Sequence, residues 1–274
     1  MTPPSARWQL GFRPPGAWDQ ALRLPFKVWL DWMQTQVQAY GVCLEDGRPL
    51  RFVPHDALPK SMAYEHFIAE SATIPSRDNL HDRLNGLIWL QLPRLKARLN
   101  AIQALWIGRL SATGPRGAWR DWATLMDENG ALMIDPSPGG QLVAALRDRD
   151  WCRALLQHRA QWQSGEIVRL MGHALHEKLL TPFEGITAHA WAIGLDGPAP
   201  SDWASVDRLA VGQLPLAEET PAIRPPSLMP LPVLGVPGWW AANEDPAFYD
   251  NARVFRPPPA DRMMATDSGS DDRC

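Results

Sequence analysis

The chain has 274 residues, a formal net charge of −3 and a hydrophobic content of 45%, so it is large and apolar enough to bury a substantial core. Its pI is near 6.2, which argues against nucleic-acid binding, because proteins that bind nucleic acids usually present a basic surface.

The cysteines and the distribution of apolar residues indicate in which cellular compartment the protein is expected. Cys43, Cys152 and Cys274 are far apart and never form a CxxC pair, so neither a disulfide framework nor a cysteine zinc site is expected. The opening stretch has no signal-peptide core, and no stretch reaches the roughly 18–20 uncharged apolar residues of a membrane span. We therefore expect a cytoplasmic protein with free thiols that contacts neither a membrane nor a nucleic acid.

Helical patterns dominate the first part of the chain. Residues 16–40 carry apolar side chains at helical spacing, and Pro25 either starts a second helix or kinks the first. Gly41 is placed like a C-terminal cap. After a short extended piece, RFVPHDAL, the stretch MAYEHFIAES predicts a short helix.

The stretch RDNLHDRLNGLIWL begins a longer helix, with Ser76 or Asp78 as its N-terminal cap. Pro93 forces a break, and a second amphipathic pattern follows in RLKARLNAIQALWIGRL. The two segments predict a helical hairpin with a sharp corner.

The strongest strand signal is DWATLMDENGALMID, where two apolar runs flank Asn129 and Gly130. Both residues tolerate the positive φ of a tight turn, so a β-hairpin is predicted over 122–134. Helices are then expected at about 140–147, 150–163 and 165–180, and GITAHAWAIGL is compatible with a strand.

The chain after residue 215 is rich in prolines and aromatic residues, as in LPVLGVPGWWAANEDPAFYDNARVFRPPP. Because disordered segments are poor in aromatic residues, we expect an extended arm over 215–258 that packs on the domain. Residues 259–274 are predicted to be disordered. Together these patterns predict an α+β fold, predominantly helical, with a small antiparallel sheet and a proline- and aromatic-rich arm, in a single domain over 16–258.

Two helices carry polar residues that could form a site. His81 and Asn85 lie four residues apart and therefore share a helix face, with Asp82 beside them. The structural alternative is that the acidic residues of this first turn only favour the helix dipole.

His173 and Glu177 in GHALHEKLL are likewise four residues apart. A histidine and a carboxylate on one helix face can bind a metal, although the spacing is not that of HExxH sites. The alternative is a hydrogen-bonded surface pair. Asp127 and Glu128 are expected at the tip of the hairpin, where polar residues are common.

Two functional hypotheses follow. In the first, His81, His173 and Glu177 bind a divalent metal, zinc or manganese, in a metal-assisted hydrolase, with Asp82 or Glu128 as the base or as support for a ligand. In the second, the protein is a non-catalytic binding or assembly module that contacts a protein partner through Trp239 and Trp240, because aromatic residues are common at interfaces.

Four long motifs resemble a bacterial family of uncharacterised proteins, domain of unknown function 3025. They are IPSRDNLHDRLNGLIWLQLPRLKARLNAIQ, RDWATLMDENGAL, LMGHALHEKLLTPFEGITAHA and LPVLGVPGWWAANEDPAFYDNARVFRP. The resemblance covers about residues 20–258 and implies one folded unit that includes the arm, but no activity. The family usually has aromatic residues after NLHD, where this chain has Arg83 and Leu84. The matching motifs contain His81, Asp82, Asn85, Asp121, Asp127, Glu128, Asn129, His173 and Glu177.

Overall fold

The computed structural model describes residues 20–109, 117–135, 138–162, 167–195 and 199–257. The longer helices are α1 (Phe26–Tyr40), α2 (Tyr64–Ser71), α3 (Leu80–Gln91), α4 (Pro93–Arg109), α5 (Ala118–Asn129), α6 (Gln141–Asp148), α7 (Arg159–Trp162), α8 (His173–Lys178) and α9 (Trp203–Gly212). The strands are β1 (Arg51–Pro54), β2 (Thr73–Ser76), β3 (Gly130–Ile134), β4 (Val168–Leu170), β5 (Thr187–Ile193) and β6 (Leu228–Pro232). Residues 16–19 of the helical pattern predicted over 16–40 and the predicted disordered tail at 259–274 lie outside the described residues.

The strands form two small sheets. Strands β1 and β2 pair in parallel, and the second sheet has the order β4-β3-β5-β6. In this second sheet β3 and β5 are parallel, whereas the two outer pairs are antiparallel. The predominantly helical α+β class is thus confirmed, and the larger sheet is mixed rather than purely antiparallel.

Both faces of the larger sheet are buried. In β3, Ala131 and Met133 belong to one apolar cluster, which includes α6 and the arm. Leu132 and Ile134 belong to a second cluster, with residues of α4, α5 and α9. Because side chains alternate along a strand, β3 contributes to both cores at once. A third cluster surrounds α1 and the two-stranded sheet.

The predicted helical hairpin is confirmed, with one correction at its start. Helix α3 ends at Gln91 and α4 begins at Pro93. The N-terminal cap is neither Ser76 nor Asp78 but Asn79, whose Oδ1 accepts a hydrogen bond from the Asp82 amide at 2.8 Å. At the other predicted cap, Gly41 has a φ of 61° and ends α1, as expected.

The predicted hairpin at 122–134 is wrong. Its first half belongs to α5, whose buried face is formed by residues at helical spacing: Trp119, Trp122, Ala123 and Met126. Gly130 has a φ of −78° and continues directly into β3. The helix is favoured because it buries both tryptophans on one face, and this outweighs the preference of Asn129 and Gly130 for a tight turn.

The predicted helix at 165–180 is also wrong in part, because residues 168–170 form β4 and only 173–178 are helical. The stretch predicted at 150–163 contains a π-helical segment, Cys152–Gln157, followed by α7. Cys43 is free and exposed, as expected, and Cys274 lies outside the described residues.

The C-terminal arm packs on the sheet rather than extending into solvent. Strand β6 joins the sheet edge, and buried Asn243 donates to the carbonyl oxygens of Leu234 and Val236, each at 2.8 Å. Trp239 is only 5% exposed and belongs to the first apolar cluster. None of the helices within the described ranges is long and apolar enough to cross a membrane.

Helix α8 begins in close contact with the end of α5. The amides of Met171 and Gly172 both donate to the Gly130 carbonyl oxygen at 3.0 Å. A Cβ atom at Gly172 would lie 2.5 Å from Asn129 Cα and would also collide with the Glu128 carbonyl oxygen. Only glycine allows this approach, which brings His173 beside Asp127 and Glu128.

We expect Gly172→Ala to destabilise the protein by roughly 1–3 kcal/mol, because a backbone segment must shift to remove the collision. Gly108→Ala is the matched control, since a Cβ at this position in α4 meets nothing within 4 Å and alanine favours a helix. Urea unfolding midpoints measure the difference. Equal midpoints for Gly172→Ala and the natural protein would contradict the prediction.

Candidate functional site

Three helices bring histidines and carboxylates into one cluster. His81 lies in the first turn of α3, Glu128 near the end of α5, and His173 and Glu177 on α8. The side chain of His173 is 4% exposed, whereas those of His81 and Glu128 are 34% and 37% exposed. The cluster therefore has a buried floor and a side open to solvent.

The ring nitrogens and one carboxylate oxygen point toward a common volume. His81 Nε2 lies 3.0 Å from His173 Nε2, and His173 Nε2 lies 3.4 Å from Glu128 Oε2. One ligand atom from each of the three residues lies within 4.8 Å of the others. Two donors about 2.1 Å from a tetrahedral zinc ion are about 3.4 Å apart, so this spacing suits a metal ion.

Glu177 contacts the opposite side of the His81 ring. Its Oε2 lies 3.0 Å from His81 Nδ1, and because a carboxylate only accepts hydrogen bonds, His81 Nδ1 carries the proton. This tautomer directs the lone pair of Nε2 toward His173. A carboxylate in this position is the usual partner of a metal-binding histidine.

A buried ion pair lies behind His173. Lys96 Nζ contacts Asp127 Oδ1 and donates to Asn85 Oδ1 at 2.8 Å, and Asn85 in turn donates to the Tyr64 hydroxyl at 3.1 Å. Asp127 Oδ2 faces His173 Nδ1 at 3.9 Å. The network therefore fixes the polar surroundings of the buried histidine.

Burial and neighbouring charges shift the pKa values of three groups in this cluster. Burial tends to raise the pKa of Asp127, but the charge of Lys96 and its hydrogen bond to the carboxylate outweigh burial, and the pKa is lowered. Burial and the neighbouring Asp127 raise the pKa of Glu128. Burial lowers the pKa of His173 to about 4, so its imidazole is neutral at neutral pH, the form that binds metals.

The structure brings together four of the five residues singled out from the sequence. His81, Glu128, His173 and Glu177 meet, whereas the carboxylate of Asp82 binds Arg77 instead, accepting from its backbone amide at 2.7 Å and from its guanidinium at 3.1 Å. The side chain of Asp82 is only 8% exposed. Asp82 therefore binds the segment just before α3 and does not contribute to the cluster.

The two tryptophans predicted to contact a protein partner, Trp239 and Trp240, are not freely exposed. Trp239 is buried, and partly buried Trp240 packs against the same apolar cluster. Contact of both rings with another protein would require the arm to move.

Buried polar residues on α4, which were not predicted from the sequence, lie on the interior side of the site. Lys96, Asn100 and Gln103 are all buried, and they recur at intervals of four and three residues along α4. Polar residues on the interior face of an amphipathic helix are the signal that could have located them.

The fold and the site define a predominantly helical α+β protein with a histidine–carboxylate cluster between three helices. Residues 50–259 match the sequence model of a family described as protein of unknown function (DUF3025). The chain therefore belongs to this family, as the resemblance of its motifs indicates. No curated protein and no solved structure matches the chain.

We expect Lys96→Met to destabilise the protein by roughly 3–5 kcal/mol, because it leaves the Asp127 carboxylate buried without its cation. The double variant Lys96→Met/Asp127→Leu removes both charges and should lose far less stability. Urea unfolding of both variants checks the prediction. A double variant at least as unstable as the single one would show that the pairing of the two charges is not the cause.

The buried histidines predict a loss of stability in acid. Burial lowers the pKa of His173 and of His176 to about 4, whereas histidines in the unfolded chain titrate near 6.5. Below that pH the unfolded state binds protons that the folded state excludes. The free energy of unfolding should therefore fall between about pH 6.5 and about pH 4, by up to ~1.4 kcal/mol per pH unit for each histidine.

His176→Asn tests this expectation, because the asparagine amide can still donate to the Gly172 carbonyl oxygen that His176 Nδ1 contacts at 2.8 Å but does not titrate. The variant should show a shallower fall of the urea midpoint with decreasing pH. Parallel curves for the variant and the natural protein would exclude His176 as a source.

Proposed function

We propose that the protein is a metal-dependent hydrolase whose divalent ion is bound by His81 Nε2, His173 Nε2 and Glu128 Oε2. The convergence of these three atoms from three separate helices is the observation that carries the proposal. Three protein ligands leave a further coordination position for water or substrate, which is the arrangement of catalytic zinc sites.

Glu128 rather than Glu177 is the proposed carboxylate ligand. Glu177 Oε2 hydrogen-bonds to His81 Nδ1, the ring nitrogen that faces away from the common volume. Glu128 Oε2 lies beside His173 Nε2. The proposal therefore exchanges the roles that the sequence suggests for the two glutamates, and Glu177 becomes the residue that orients His81.

The electrostatics of the cluster support metal binding. Burial lowers the pKa of His173 to about 4, so its ring carries one proton rather than two at neutral pH. Before an ion binds, His173 Nε2 holds this proton and donates it to the lone pair of His81 Nε2 at 3.0 Å. On metal binding the proton would move to Nδ1, which faces the Asp127 carboxylate at 3.9 Å, and both imidazoles would then present a lone pair to the ion.

A bound divalent ion supplies two kinds of chemistry at such a site: it lowers the pKa of a water molecule and polarises the bond to be cleaved. His81 and Glu128 form the solvent-exposed rim through which a substrate can reach the ion, and His173 forms the floor. The exposed Glu177 carboxylate, 42% accessible, keeps His81 in its metal-binding tautomer.

Metal binding to untagged protein tests the proposal. After treatment with a chelator, the protein is titrated with Zn²⁺ and Mn²⁺ by calorimetry, and with Fe²⁺, since two histidines and one carboxylate also bind iron. About one ion should bind per chain, as in mononuclear sites with three protein ligands. Absence of uptake of all three ions would overturn the proposal.

Variants separate the proposed roles of the four residues. His173→Ala and Glu128→Gln should abolish tight binding because each removes a ligand, whereas Glu177→Gln should weaken it by roughly 10- to 100-fold, the usual effect of losing the carboxylate behind a metal-binding histidine. His66→Ala is the control, since His66 pairs with Glu70 on α2. If Glu177→Gln abolishes binding and Glu128→Gln does not, the two glutamates are assigned the wrong way round.

A further inference from the structure

The three cationic side chains near the proposed metal site differ in whether they are paired with a carboxylate. Lys96 is paired with Asp127, and Arg77 with Asp82. Lys178 at the end of α8 is exposed and donates to the neutral amide oxygen of Asn129 at 2.7 Å. Among the residues that the structure describes, no carboxylate lies within ion-pair distance of its ammonium group.

The hydrogen bond to Asn129 fixes the position of this charge. Asn129 directly follows Glu128, and Lys178 directly follows Glu177, so this hydrogen bond joins the two helices at positions next to both glutamates of the cluster. The charge of Lys178 is among those that oppose the rise in the pKa of Glu128, which is consistent with this proximity. An ammonium group has three N–H donors, and the contact with Asn129 uses one of them.

The charges of the site determine which substrates it attracts. A divalent ion with one carboxylate ligand and two neutral histidines has a net charge of +1, and exposed Lys178 adds a positive charge that offsets the carboxylate of Glu177, which accepts a hydrogen bond from neutral His81. The negative charge of Asp127 is neutralised by Lys96, so the site with its ion keeps a net positive charge. A low-dielectric wall on one side strengthens the attraction of this surface for anions.

We propose that Lys178 binds an anionic oxygen group of the substrate, a phosphoryl or carboxylate group, beside the proposed metal ion. The inference rests on the proposed function, and it names the chemical class of substrate that the site accepts. Lysine commonly binds phosphate as a point charge. Lys178 would act in substrate binding rather than as a metal ligand, because its protonated amine has no free electron pair.

Titration of the metal-loaded protein with inorganic phosphate and, separately, with acetate tests the inference. Lys178→Met should weaken the affinity for the bound anion by about 10- to 100-fold, the effect expected for the loss of one charge-assisted hydrogen bond, and should leave the metal affinity unchanged. Lys178→Arg should restore most of the anion affinity, since it retains the charge. Lys60→Met, which removes an exposed lysine elsewhere, is the matched control and should have no effect.

The outcomes separate the two proposals. If no metal binds to the natural protein, the proposed function fails and the inference fails with it. If metal binds but neither anion does, or if Lys178→Met binds both anions as tightly as the natural protein, the inference alone is overturned. A loss of affinity in Lys178→Met for phosphate only assigns a phosphoryl group, and a loss for acetate only assigns a carboxylate. Matching thermal unfolding curves for the variants exclude a general effect on the fold.

Discussion

The close approach of Gly172 to the end of α5 is the constraint on which the site depends. The Gly130 carbonyl oxygen accepts both the Met171 and the Gly172 amides, and no side chain larger than hydrogen fits between the two segments. This contact joins the end of β4, the start of β3 and the start of α8. It sets His173 against Asp127 and Glu128, and α3 completes the cluster by packing His81 against α8.

A buried polar network supports this contact from behind. Burying the Lys96–Asp127 pair costs desolvation energy, and a well-packed apolar pair is often as stable. The network therefore adds little net stability, but it holds a carboxylate facing His173 and an amide on α3. Such buried charges make the arrangement of α3, α4 and α5 specific, because any shift would leave a charge unpaired. The network and the open rim of the cluster thus divide the site into a fixed floor and an accessible side.

The sequence predicted a good part of the fold and pointed to the right helices for the site. Spacing identified α1, α3 and α4, and it placed His81 on one helix and His173 with Glu177 on another. In DWATLMDENGALMID it predicted the strand of the second run, β3, but it also predicted a strand for the first run, which is helix α5, because short apolar runs fit both periods. The contacts of Asp82 and Glu177 were not predicted either, because helical spacing shows which residues share a face but not which residues pack against that face.

By itself, the sequence determined the predominantly helical α+β class, the break at Pro93, the cap at Gly41 and the family. These features depend on local preferences and on apolar periodicity, which act between residues close in the chain. Only the tertiary structure decided that His81 and His173 meet, that Glu128 joins them and that Lys178 is left without a carboxylate partner among the described residues. His81 and His173 are 92 residues apart in sequence, and their contact depends on sheet pairing and on the space left by a glycine hydrogen, which no local pattern encodes.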